Sequence, residues 1–280
     1  MGTVQRHLFC ALACSFGAVA FAQRIPSQDG AFILGNTHTF RSAILGQDRV
    51  LNVYVPDGYA DSTLHYPVIY VLDGSANEDF PHIAGLAQFL NMYDLLPKSI
   101  VVGIANNGRS RYHDFTSPTQ SDSDRVWVPT SGGSAAFIAF LEKEVKPFIE
   151  QRYRTSGRST IIGQSLGGLL GMEVLFRRPD LFDDYILVSP SLWWNDGRLA
   201  SGADAWVKAH GKADKRIFIA DAPDDAMMRK EIDRVVAELR AGTSAPLAWW
   251  YEAFPEESHA TILHRAVYRA FEHFYPKKVD

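Results

Sequence analysis

The sequence predicts an α/β fold: a mostly parallel sheet of about eight strands with helices on both faces, in a single domain behind a short leader. Three observations carry this. β-rich apolar runs alternate with amphipathic helical windows along the chain, with no internal repeat, low-complexity tract or long linker. One run, Val68-Ile69-Tyr70-Val71-Leu72, is apolar at consecutive positions, as a strand covered on both faces must be. The composition is that of an ordinary globular chain: 280 residues, 46% hydrophobic and 21% charged, with 21 Gly and 14 Pro. One α/β domain of this length buries roughly 75% of its unfolded surface, enough for a core without crosslinks.

The leader comes first. Arg6 and His7 precede an apolar, small-residue run from Leu8 to Ala22 that ends Ala20-Phe21-Ala22. This is the pattern of a secretory signal peptide over residues 1–22, and the run is too short to span a membrane. Its removal leaves residues 23–280 as one domain and takes away both cysteines, Cys10 and Cys14, so no disulfide is expected in an oxidising compartment. A periplasmic or secreted protein with no integral membrane segment follows. The competing reading, lipidation at Cys14, is disfavoured because the apolar run continues eight residues beyond it.

In the mature chain, Thr39–Leu45 and Arg49–Val55 flank Gly46-Gln47-Asp48 and predict a hairpin. The strand 68–72 follows, then a helix over His82–Tyr93 and a strand over Ser99–Ile104. Residues 106–133 are polar and rich in Gly, Ser and Pro, a surface excursion of the length that usually carries function. A helix over Ser134–Gln151 has Phe137, Phe140, Leu141, Val145, Phe148 and Ile149 on one stripe, with Ser134 as its N-cap. Further strands are expected at Thr160–Gly163, Tyr185–Val188, Arg216–Ala220 and Ala248–Tyr251. Helices are expected at Leu166–Phe176, Ala203–His210, Met227–Arg240 and Thr261–Phe274. The first two strands read as antiparallel and the rest as parallel; Trp249, Trp250 and Tyr251 read as core.

The sharpest motif is Gly163-Gln164-Ser165-Leu166-Gly167-Gly168, placed directly after a β run and directly before a helical one. A nucleophile elbow needs that placement, because the serine takes a strained φ and its neighbours must lack bulk. The competing reading is a glycine-rich turn capped by Ser165. A serine nucleophile requires a base held by an acid. In the α/β-hydrolase chain order the acid follows a later strand and the histidine follows the last one. Of His210, His259, His264 and His273, His259 stands at the entry to the terminal helix and is preferred, with His264 as the alternative. Three carboxylates compete for the acid in Asp221-Ala222-Pro223-Asp224-Asp225, and Asp224 is ranked first. The backbone N–H groups of Leu166 and Ser75 are the expected oxyanion hole, while Asp73 is read as ordering its turn.

On these residues the chain resembles the esterase family of the α/β-hydrolase superfamily that includes esterase D, feruloyl esterases, mycolyltransferases and trilactone-siderophore esterases. The marks are Tyr70-Val71-Leu72-Asp73-Gly74, the segment from Arg111 to Pro118, Gly132-Gly133, Gly163 to Gly168, and Ser189-Pro190-Ser191-Leu192-Trp193-Trp194. The last of these, with Ala220 to Arg229, is most similar to the siderophore-esterase branch, whose acidic position falls at Asp224. The family commonly has Gly where Asp221 stands, and its acid is often Glu. The resemblance implies an exported serine esterase working through an acyl-enzyme on siderophore-type or aryl esters. An acyltransferase or a catalytically silent ligand-binding relative would share the same scaffold.

Trp193 and Trp194 are expected to open on the sheet's carboxyl edge and bind substrate. Arg109 and Arg111 could hold an anionic group or pair with Asp114. No cofactor and no metal are expected: His259 and His264 are not on one helical face, and phosphate-binding and dinucleotide fingerprints are missing. A net charge of −4 without any basic run excludes an electrostatic nucleic-acid footprint. The partner expected is a small-molecule ester, and the oligomeric state is left open.

Overall fold

The computed structural model describes Gly2, residues 30–222 and residues 226–277. The chain divides into residues 1–32 and residues 33–280. The signal-peptide reading, including Cys10 and Cys14, lies outside the described residues apart from Gly2, as do Asp224 and Asp225.

Residues 33–280 hold an eight-stranded sheet of order β1-β2-β4-β3-β5-β6-β7-β8. The strands are β1 (Asn36–Arg41), β2 (Asp48–Tyr54), β3 (Tyr66–Val71), β4 (Ile100–Ile104), β5 (Thr155–Gln164), β6 (Asp184–Val188), β7 (Arg216–Asp221) and β8 (Ala248–Ala253). β2 pairs antiparallel with both β1 and β4, and every pair from β4 through β3 to β8 is parallel. The first hairpin turns earlier than expected, because the Ser42 N–H donates to Gln47 O (2.9 Å) and the Gly46 N–H to Ser42 O (3.1 Å), with Gly46 at φ 65°. β5 begins at Thr155, before its apolar part, where Tyr66 pairs with Thr155.

Helices cover both faces, each against its own apolar cluster. On one face lie α1 (Asp79–Met92) and α10 (Ile262–Phe274). The opposite cluster takes in α4 (Ser134–Phe140), α5 (Lys146–Arg152), α6 (Leu166–Arg177), α8 (Ala203–His210) and α9 (Ala226–Gly242). α4 and α5 are one rod joined by a π turn, Leu141–Val145. Ser134 is not its N-cap: Gly133 holds that position, and Ser134 is fully buried with its N–H donated to Thr116 O. The 106–133 excursion contains α2 (Ser110–Asp114) and α3 (Asp122–Trp127), and after β6 comes the short α7 (Trp194–Gly197). Trp249, Trp250 and Tyr251 are half-buried, since β8 is an edge strand.

Two ion-pair clusters built on buried carboxylates set this frame. Asp184, at the start of β6 and fully buried, receives two hydrogen bonds from Arg158 (3.1 and 2.7 Å) and two from Arg216 (2.7 and 2.6 Å). Arg216 also donates to Phe274 O (2.7 Å), so the cluster ties β5, β6, β7 and the end of α10 together. Arg49 on β2 and Asp114 on α2, both buried, are 2.8 Å apart, and the Arg49 guanidinium lies over the Phe137 and Phe140 rings at 5.2 and 5.5 Å. This pair fastens the excursion to the sheet. The strand order reverses at β3 and β5, so the loops after these two strands flank the crevice in which open α/β sheets bind ligands.

Candidate active site

Ser165 stands alone between β5 and α6 with φ 59° and ψ −120°. Such a backbone costs a non-glycine residue about 1–3 kcal/mol and persists only where the surroundings enforce it. Here the Ser165 N–H donates to Val188 O (3.0 Å), and its carbonyl accepts from Ser191 N and Leu169 N (3.0 and 2.9 Å). The flanking glycines are sterically required. A Cβ on Gly163 would strike the Gly167 carbonyl, and one on Gly168 would sit 2.9 Å from Pro190 Cα. The half-buried Ser165 hydroxyl lies 3.4 Å from that of Ser191. α6 starts at Leu166, whose N–H is among the helix-initial donors that have no partner within the helix.

The turn after β3 presses against this elbow. A Cβ on Gly167 would lie 3.2 Å from Asp73 Oδ2. Asp73 has φ 54°, and its carboxylate accepts from Arg111 Nε (2.5 Å), Arg111 Nη2 (2.8 Å) and Asn106 Nδ2 (2.7 Å). Gly74 N–H donates to Ile104 O (3.0 Å), the Asn52 amide donates to Gly74 O (2.9 Å), and the Asn106 N–H donates to Ser75 Oγ (3.1 Å). Asp73 therefore orders the turn, as expected, and does so by recruiting Arg111. Asp114 takes Arg49 instead.

His259 lies half-buried in the turn between β8 and α10, and its carbonyl accepts from the side-chain amide of Gln164, the residue before Ser165. The other downstream histidines are engaged elsewhere. His210 packs on Trp206 (ring centroids 5.6 Å apart), His264 faces His82, and His273 bonds Glu252 at 2.5 Å. Among the competing acids, Asp221 is buried at the end of β7, where it accepts from the Tyr251 hydroxyl (2.9 Å) and pairs with Arg229 (3.2 Å). Burial pushes its carboxyl up despite those two partners.

A cleft of about 1040 Å³ opens over the elbow, lined by Ser165, Leu166, Ser191, Trp193, Met228, Arg109, Arg111, Tyr112 and Trp127 among others. That is the size of a small-molecule site. Trp193 and Arg111 thus share a wall with Ser165. Trp194 does not: it is 2% exposed, its indole N–H donates to Ser117 O (3.0 Å), and it borders a separate cavity of about 640 Å³. Tyr112 and Trp127 were not picked out from the sequence, though Trp127 is 80% exposed. An aromatic within a polar excursion was the available signal.

Asp79, four residues beyond Ser75 at the start of α1, has its carboxyl pushed up to about 7 by burial, then by the charges of Asp73 and Glu78, with Arg111 opposing. The folded protein keeps this proton up to about pH 7, whereas the unfolded chain releases it near 3.8. Stability supplied by the proton is therefore lost as pH rises through that window. Asp79→Asn is expected to melt above the parent by a margin that widens from pH 5 to pH 8; a constant gap across that range would refute the assignment.

A family model described as "Putative esterase" matches residues 42–265. Ferri-bacillibactin esterase BesA of Bacillus subtilis is 34% identical over 208 residues, covering 68% of this chain and 70% of the relative. The siderophore triacetylfusarinine C esterase of Aspergillus fumigatus is 32% identical over 157 residues, covering 51% of this chain and 50% of its own. Among solved structures, an IroE-like serine hydrolase from Shewanella oneidensis superposes with a TM-score of 0.77 at 29% identity, covering 88% of this chain and 82% of that one.

Proposed function

The chain belongs to this esterase family, of the α/β-hydrolase type, and from that footing we propose that it is an exported serine esterase acting through an acyl-enzyme on siderophore-type or aryl esters. The observation that carries the reading is the strained Ser165 elbow on the cleft floor, with the His259 turn tied to Gln164. In this scheme the Ser165 hydroxyl attacks the ester carbonyl while His259 takes its proton. The N–H groups of Leu166 and Ser75 receive the developing oxyanion. His259 returns the proton to the leaving alcohol, and water then repeats the sequence to release the acid. Asp224 remains the preferred partner for the imidazole. Asp221 is less suited, because its carboxylate already serves Tyr251 and Arg229. No cofactor enters the scheme.

The siderophore leaning draws on two supports: both curated relatives are named for esterase action on siderophores, and the cleft combines Trp193, Tyr112 and Trp127 with Arg109. Aromatic faces and a cation suit aryl groups carrying anionic oxygens. Export draws on the leader pattern of residues 1–22.

A fluorophosphonate probe is expected to add one phosphonyl group at Ser165, found by peptide mass spectrometry, and to leave Ser165→Ala unlabelled. Labelling elsewhere, or none, would remove the serine mechanism. Supplying an acceptor alcohol with the ester separates hydrolase from acyltransferase: free acid is the expected product, and a transferred ester would reassign the reaction.

A further inference from the structure

Two histidines that the catalytic scheme leaves unused meet at the surface. His82, in the first turns of α1, directs its Nε2 at Nδ1 of His264, in the first turn of α10. Their ring centroids are 4.1 Å apart and the planes cross at 70°. Both side chains are exposed, while Ile83 and Ile262 on the same two helices are fully buried in one core cluster. The ligands are thus mounted on fixed backbones and open to solvent.

We propose that His82 and His264 form a binding site for one divalent transition-metal ion of the imidazole-preferring kind (zinc, nickel or copper), which clamps α1 to α10. With the N–H of one ring turned to the lone pair of the other the two imidazoles hydrogen-bond to each other, and with both lone pairs turned inward they present two metal-ligating nitrogens. Zinc–nitrogen bonds of about 2.0–2.1 Å at a tetrahedral angle set the two nitrogens about 3.3–3.4 Å apart, which a small outward rotation of exposed rings supplies. Among the described residues no third His, Cys, Asp or Glu completes a metal group with the pair, so water fills the remaining positions. The clamp has a location with consequences. α1 directly follows the turn of Asp73 and Ser75, and α10 directly follows His259. An ion would join the two helices that carry these loops.

The test uses tag-free, EDTA-stripped protein titrated with zinc chloride by calorimetry and followed by thermal melts. One ion per chain is expected to bind with a dissociation constant of about 1–100 µM. At ten times that concentration the melting temperature is expected to rise by about 3–6 °C. His82→Gln and His264→Gln should each lose the shift while melting near the metal-free parent, and Ser165→Ala should keep it. Absence of binding up to about 1 mM, or equal binding by both histidine variants, would overturn the site. Neither result would touch the esterase reading, since the readout is independent of turnover.

Discussion

Ser165→Ala is expected to lower kcat/KM for a chromogenic short-chain ester by about 10⁴-fold or more, with little change in circular dichroism or melting temperature. Removing the hydroxyl removes the atom that must bond to carbon, and Ser191, whose hydroxyl lies 3.4 Å away, does not stand on the elbow between β5 and α6. The fold should tolerate the change because the hydrogen bonds that pin residue 165 are made by its backbone N–H and carbonyl. Alanine keeps the φ of 59° and hence the strain. Ser165→Gly supplies the companion measurement: glycine takes that backbone without penalty, so this equally inactive variant is expected to be more stable by about 1 kcal/mol. Activity in Ser165→Ala within tenfold of the parent would dismiss the nucleophile.

The second large effect lies at the opposite end of the sheet. Asp184→Ala is expected to cost about 3–5 kcal/mol, because it strands two guanidinium groups that now share one fully buried carboxylate. For a chain of this length that corresponds to a fall of about 6–20 °C in melting temperature. Arg158 is 40% exposed and can turn to water, whereas Arg216 is only 17% exposed, so Arg216 accounts for most of the loss. Asp184→Asn keeps the shape and one acceptor oxygen and should lose less. Equal melting of Asp184→Ala and the parent would show that the cluster contributes no stability.

What could be read from the sequence follows the range of the interactions involved. Strands such as β3 (Tyr66–Val71) and β6 (Asp184–Val188) announce themselves because burial on both faces forces consecutive apolar residues. The elbow is equally local: its glycines and serine lie within six residues. α2 and α3 were missed because helices of five and six residues are too short to show a period. The Asp73–Arg111 pair spans 38 positions and the His82–His264 pair 182, and nothing in either neighbourhood points to its partner. Trp193 and Trp194 are adjacent and chemically alike, yet only Trp193 faces the cleft; the chain direction after Ser191 decides that. The acid illustrates the same limit, since three carboxylates within five residues fit the required chain order and the pattern only ranks Asp224 first.

The Ser165 elbow in the cleft follows directly on β5, while much of the wall, residues 109–114 and 127–130, belongs to one excursion bolted down through Arg49 and Asp114. On the proposed reading, the nucleophile and most of the wall that faces the substrate lie in separate stretches of chain. Descendants of such a scaffold can diversify by rewriting the wall, and an engineer can graft a foreign excursion onto that bolt, without disturbing the nucleophile beneath.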